Sequence, residues 1–244
     1  MVVHLYGHPC DMDAIKQICE DNNIFLIEDC AEAFGSLYKG KHVGSFGDIA
    51  TFSFFGNKTI TTGEGGMVVT NDETLYQRAV NFKGQGLAKY REYWHDIIGY
   101  NYRMTNICAA IGLSQLERAD ELIAKKIKIA DQYKALLHNL PVIVHKEIGD
   151  VKHSYWMVSI LVEAPELRDS LRDYLKDKGI ETRPLFYPVH TMPMYSQKYE
   201  KHKNAENIGW RGINLPSYPE LKTEDIAFIC SSIENYYKER GLYK

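Results

Sequence analysis

Four apolar residues in a row, Ile24-Phe25-Leu26-Ile27, run without polar alternation and stop at Glu28-Asp29. A strand buried on both faces reads this way, and such strands belong to parallel sheets covered by helices. The residues before it agree. Met1 to Tyr6 is apolar and β-prone from the start, and Asp11-Met12-Asp13 can cap a helix whose Ile15, Ile18 and Cys19 share one face. Strand, helix, strand in that order is a βαβ unit, and ligands of such sheets bind beyond the carboxyl ends of the strands. Asp29 is expected at such an end.

Downstream of a glycine-punctuated loop (residues 35–47), residues 48–54 read as the next strand. It breaks at Phe54-Phe55-Gly56-Asn57-Lys58-Thr59 into the small, polar run Thr61-Thr62-Gly63-Glu64-Gly65-Gly66, and Met67-Val68-Val69-Thr70 resumes as a strand. A lone loop lysine is ordinarily a solvated one. Lys58, set at the lip of a strand among aromatics and glycines, suits a desolvated amine that attacks a carbonyl. With Asp29 it makes the pair that a pyridoxal phosphate (PLP) site needs, a Schiff-base lysine and an acid against the pyridine nitrogen. Ser53 could offer its hydroxyl to a phosphate, or simply sit on one face of a buried strand.

The remaining pattern predicts helices over about 72–82 and 105–117, the second rich in small residues that favour close packing. A longer helix runs to about residue 140, where Pro141 stops it. Residues 83–102 are aromatic and irregular. After that the composition shifts to short elements: a half-exposed strand over 153–162, an amphipathic helix over 165–178 closed by Gly179, and short strands at 180–183 and 213–215. A terminal helix over 223–238 is expected to be capped by Thr223. This is a smaller α+β domain, with the boundary inside the long helix.

Composition narrows the classes. A net charge of −3 over 244 residues without a long basic run argues against nucleic acid as a partner. Lys125-Lys126-Ile127-Lys128, the densest cationic spot, reads as the wet face of a helix. Five scattered cysteines with no CxxC pair fit reduced thiols and a cytoplasmic location. His4, His8 and Cys10 lie close together but lack a second ligand pair, so no metal is expected. No apolar stretch approaches the about 20 residues that span a bilayer, so no membrane role is expected.

Glu28-Asp29-Cys30-Ala31-Glu32-Ala33-Phe34-Gly35 and the run from Phe52 through Lys58 to Gly66 resemble the PLP-dependent nucleotide-sugar aminotransferases of the DegT/DnrJ/StrS type. The resemblance continues through Gly99-Tyr100-Asn101-Tyr102-Arg103-Met104-Thr105-Asn106 and Arg183-Pro184-Leu185-Phe186-Tyr187-Pro188. It implies an α/β, aspartate-aminotransferase-like (type I PLP) fold: a large domain with a mixed, mostly parallel sheet, in part over residues 1–125, and a small C-terminal α+β domain over 126–244. Members of the family carry a further N-terminal segment that has no counterpart here, so the resemblance implies an N-terminally truncated large domain and a cofactor cradle lacking one wall.

The resemblance implies roles as well. Lys58 matches the lysine that joins the cofactor and then carries the proton between substrate carbon and cofactor C4′. Asp29 matches the acid at the pyridine nitrogen. Glu32 falls beside the cofactor's phenolic oxygen, where a carboxylate fits if one of the two holds a proton. Ser53 matches a phosphate ligand. Asn101 matches the residue that reaches the phosphate of the neighbouring subunit's cofactor, which implies a homodimer with shared active sites. Arg103, Tyr187 and His190 are candidates for the nucleotide-sugar substrate. The implied reaction passes an amino group from L-glutamate to a nucleotide-linked 4-keto-6-deoxy sugar, GDP-4-keto-6-deoxymannose by the closest wording, for surface polysaccharide such as O-antigen. A dehydratase relative would carry His at position 58, which Lys58 opposes, and a non-catalytic protein of the same fold would have no use for the set.

Overall fold

The computed structural model describes residues 1–198 and 200–243. In chain order the elements are β1 (Val2–Val3), α1 (Met12–Asp21), β2 (Ile27–Asp29), β3 (Leu37–Tyr38), β4 (Lys41–His42), β5 (Ile49–Ser53), β6 (Gly66–Val69), α2 (Glu73–Lys83), α3 (Asn106–Leu116) and α4 (Ala119–Leu137). There follow β7 (Val142–Val144), β8 (Val151–Lys152), β9 (Val158–Val162), α5 (Pro165–Asp177), β10 (Arg183–Pro184), α6 (Lys203–Arg211), β11 (Gly212–Leu215) and α7 (Thr223–Glu239). Contacts divide the chain into two units, one of Met1–Ala124 with Glu147–Trp156, the other of Lys125–Lys146 with Met157–Lys244. The division falls inside α4, and residues 147–156 return to the first unit, an excursion that a single boundary at 125/126 does not contain.

The first unit is built on a sheet of order β1-β2-β5-β6. The β1–β2 and β2–β5 pairs are parallel and β5–β6 is antiparallel, the mixed, mostly parallel sheet expected. Register places Asp29 opposite Thr51, so the carboxyl ends of β2 and β5 lie side by side. Beneath them pack Met12, Leu26, Cys30, Ala33, Val43 and Ala50. A second cluster of Phe54, Ile60, Ala119 and Leu122 seats α4 against the segment after β5. Gly35 (φ +82°) makes that approach possible, because a Cβ there would lie 2.3 Å from Ile123 Cδ1.

One buried carboxylate fixes the turn before β5. Glu28 accepts hydrogen bonds from Phe46 N–H and Gly47 N–H on Oε1 (2.7 and 2.6 Å) and from Gly44 N–H on Oε2 (2.7 Å). His4 Nε2 completes the set at 3.1 Å; its Nδ1 accepts Cys10 N–H, so Nε2 carries the proton and donates. Among the described residues, His4, Glu28 and Cys30 bring ligand-type atoms within 4.8 Å of one another. The carboxylate is already saturated by four donors, which makes this a structural anchor rather than a metal site.

The second unit is an antiparallel sheet of order β10-β11-β9-β7, with α5 and α6 packed on it and on each other and α7 packed on α5. Leu171 and Leu175 on α5, and Ile226, Ile229 and Ile233 on α7, recur at helical spacing and are buried.

Several expectations are corrected. β2 starts at Ile27, and Ile24 and Phe25 are 56% and 78% exposed coil. The apolar run marks the approach to the strand, and the strand itself carries the acidic pair. Ile18 on α1 faces solvent while Ile15 and Cys19 pack inward. β1 is only two residues long, because the chain turns at Leu5–Gly7 into a 3-10 turn. Residues 153–156 are a buried loop, and β9, which follows in the chain, is the buried central pairing partner of β11 and β7. Thr223 is the first helical residue of α7, Lys222 precedes it, and the Thr223 hydroxyl accepts from Gln132. Lys126 is not on a wet face: it is 5% exposed and its amine donates to the Ser217 carbonyl. α6 and β7 carried no sequence expectation.

Candidate active site

Past the carboxyl end of β5 the chain leaves the sheet as Phe54–Thr62. Phe54 N–H bonds to Gly65 O, and Thr62 N–H returns to Phe54 O, closing a loop that carries Lys58. Gly65 is required there, since a Cβ would lie 2.4 Å from the Thr62 hydroxyl. The Lys58 side chain, 14% exposed, folds back over the sheet end. Its Nζ stands 3.9 Å from Glu32 Oε1 on one side and 3.9 Å from the centroid of the Trp156 indole on the other.

Burial lowers the Lys58 amine below an ordinary lysine's value, opposed by the charges of Glu32 and Asp29. Burial raises the Glu32 carboxyl, opposed by the N–H of Tyr6 and the charge of Lys58. The two groups are thus pushed toward neutrality by the same dry surroundings and toward charge by each other. Asp29, at the end of β2, receives Ala31 N–H on Oδ1 at 3.0 Å; among the described residues Oδ2 has no hydrogen-bond partner. Ser53 ends β5 with its hydroxyl accepting Phe55 N–H at 3.3 Å. The structure therefore brings Asp29, Glu32, Ser53 and Lys58 to one end of one sheet. Asn101 lies in the first unit too, exposed and bridged to Gly84. Arg103 is exposed in the irregular segment before α3.

Tyr187 and His190 belong to the second unit. The Tyr187 ring packs 5.2 Å from that of Trp210, with the Arg168 guanidinium 5.4 Å from its centroid. Gly209 permits this, because a Cβ there would meet Pro188 Cδ at 2.8 Å. His190 Nε2 lies 3.0 Å from Glu206 Oε1, which also accepts His202 N–H.

Trp156 and Tyr6 escaped the sequence reading. The Trp156 indole is 4% exposed, donates Nε1–H to Asn57 O at 2.8 Å, and stacks on Tyr6 at 5.9 Å. Tyr6 in turn donates its backbone N–H to Glu32 Oε2 at 2.7 Å. Both Tyr6 (φ 55°) and Tyr155 (φ 49°) are left-handed, a backbone cost on the order of 1 kcal/mol each that aromatic residues rarely bear. Nothing local signals the contact, since Trp156 and Asn57 are 99 positions apart.

A half-buried lysine at the carboxyl end of a mostly parallel sheet, with an acid on the neighbouring strand, is the arrangement of the type I PLP-dependent aminotransferase class. The chain belongs to the DegT/DnrJ/EryC1/StrS aminotransferase family, whose profile matches residues 1–234. It is 68% identical over 240 residues to the GDP-perosamine synthase of Escherichia coli O157:H7, covering 98% of this chain and 66% of that protein. It is 49% identical over 241 residues to the GDP-perosamine synthase of Vibrio cholerae, covering 97% and 66%. Among solved structures, Helicobacter pylori PseC, an aminotransferase of pseudaminic acid biosynthesis, superposes with a TM-score of 0.92 at 28% identity, covering 97% of this chain and 66% of PseC. The chain thus spans just under two thirds of the length of these relatives.

The donor set fits PLP. It offers an acid with an uncommitted oxygen for a ring N–H, a hydroxyl for a phosphate, a protonatable carboxyl for a phenolic oxygen, and a partly desolvated amine.

Proposed function

We propose that this chain carries the lysine-bearing part of a PLP-dependent aminotransferase. The reaction is transfer of the amino group of L-glutamate to a GDP-linked 4-keto-6-deoxy sugar, GDP-4-keto-6-deoxymannose, for surface polysaccharide. The observation that carries it is the Lys58 amine, held between a carboxylate and an indole at the sheet end and lowered by burial. Identity of 68% to a GDP-perosamine synthase supports the GDP sugar over a UDP- or dTDP-linked one.

When bound, PLP supplies an electron sink for the carbon that gains or loses the amino group. Asp29 keeps a proton at the pyridine nitrogen, which maintains that sink. Glu32, raised by burial, can hold the proton shared with the phenolic oxygen. The Ser53 hydroxyl donates to the phosphate. The Lys58 amine would hold and deliver the proton at the substrate carbon and at C4′ of PLP, and its lowered basicity would make it a base nearer neutral pH than a surface lysine. Arg103 suits the sugar nucleotide's diphosphate, because a guanidinium presents paired donors; Tyr187 and His190 are assigned to the same substrate. Asn101 is assigned to the phosphate of a neighbouring subunit's cofactor, in a homodimer with shared sites. The exposed apolar residues Ile107, Ile111, Leu113 and Leu116 of α3 support such an assembly.

The full-length protein with PLP, L-glutamate and GDP-4-keto-6-deoxymannose should yield 2-oxoglutarate and the 4-amino sugar. Lys58→Ala should lose at least about 10²-fold in turnover and lack the borohydride-bleachable PLP absorbance. Absence of product overturns the substrate, and undiminished turnover in Lys58→Ala overturns the mechanism.

A further inference from the structure

The surroundings of Lys58 form a closed circuit. Tyr6 N–H bonds Glu32 Oε2, Glu32 Oε1 faces Lys58 Nζ, Nζ lies over Trp156, and Trp156 stacks on Tyr6. The same indole donates its N–H to the carbonyl of Asn57, the residue before Lys58. It therefore grips both ends of the lysine, the backbone where the side chain begins and the amine where it ends. A residue present only to fill space would need neither contact. Tryptophan is also the side chain whose face attracts a cation most strongly, and the attraction grows in dry surroundings.

We propose that Trp156 is a positioning residue for Lys58, its indole face holding the free ammonium opposite Glu32 whenever the lysine is not joined to the cofactor. A lysine stem is flexible, and an amine released into a wet cleft would wander. Parked between the indole and a carboxylate, it stays where it can take up or deliver a proton. The charged groups facing it are Glu32 and Asp29; Trp156 adds attraction for the cation with no charge of its own. The inference rests on the aminotransferase reading for its purpose, though the contact can be tested without it.

The test uses cofactor-free protein whose lysines are dimethylated with ¹³C-formaldehyde, the Lys58 resonance being assigned by its loss in Lys58→Arg. In the native protein the Lys58 methyl signal should be displaced upfield by the indole ring current. In Trp156→Leu the displacement should vanish, and the titration midpoint should fall by on the order of one pH unit as attraction for the cation is lost. Trp156→Phe, which keeps a ring with a weaker face and lacks the N–H, should lie between, and it decides the matter if the leucine variant does not fold. In the PLP-loaded enzyme Trp156→Phe should lower kcat while leaving the KM for the sugar nucleotide unchanged. A Lys58 signal at the position of exposed lysines, or one unmoved in a folded Trp156 variant, overturns the proposal. Failure of the aminotransferase reading alone would abolish turnover and leave the ring-current signature intact.

Discussion

Glu28 shows how much one side chain can hold. Burial pushes its carboxyl up, yet His4, Gly44, Gly47 and Phe46 outweigh that and keep it below an ordinary glutamate's value. A glutamine cannot replace it: whichever way the amide turns, its NH₂ faces two donors. Glu28→Gln should therefore destabilise the protein by on the order of 3–5 kcal/mol, read as a lower urea midpoint. With its folded value depressed, Glu28 contributes stability above the unfolded carboxyl's about 4.3 and loses it as pH falls through the folded value. The gap between native and variant should thus narrow on acidification from about pH 5 toward about pH 3. Asp29 was legible from its place at the end of an apolar run, and Lys58 from its place at the break of a strand. Glu28 was not, because its partners are backbone N–H groups 16 to 19 positions away that carry no side-chain signature.

Elements reveal themselves where the signal is local. Asp11, Asp72 and Thr105 each accept an N–H three residues on and begin helices where the pattern placed them. α4 is different. Its lysine cluster has the composition of a solvated face, but Ser217 packs over Lys126, and burial pushes that amine down to about 7. Between that value and the unfolded lysine's about 10.4 the unfolded chain binds the extra proton, so folding stability rises with pH. Lys126→Met should flatten the rise between about pH 7 and 9, measured as the change in denaturant midpoint against pH. The residues covering Lys126 lie about 90 positions further on, beyond the reach of any helical pattern.

At the scale of the molecule, the apolar surface is conspicuous. α3 is apolar in composition on every side, yet none of its residues is buried. Val3, Ile27, Met67 and Val68 leave the first unit's sheet partly uncovered. A helix of this composition ordinarily lies inside something, and contiguous exposed apolar patches mark interaction surfaces. If α3 forms the contact of the proposed homodimer, Ile107→Glu with Leu113→Glu should lower the sedimenting mass while leaving the helical circular dichroism intact; an unchanged mass would overturn α3 as that contact. Such surface is written in the sequence as hydrophobicity, but a single chain cannot say what covers it. The return of residues 147–156 to the first unit has a temporal consequence. The strands that present Lys58 are complete by Val69, but the indole beneath its amine belongs to a residue made 98 positions after the lysine (156 − 58). During synthesis the lysine must stand open until that later segment has emerged, and a polypeptide cut in the middle of α4 would keep Lys58 and lose the floor under it.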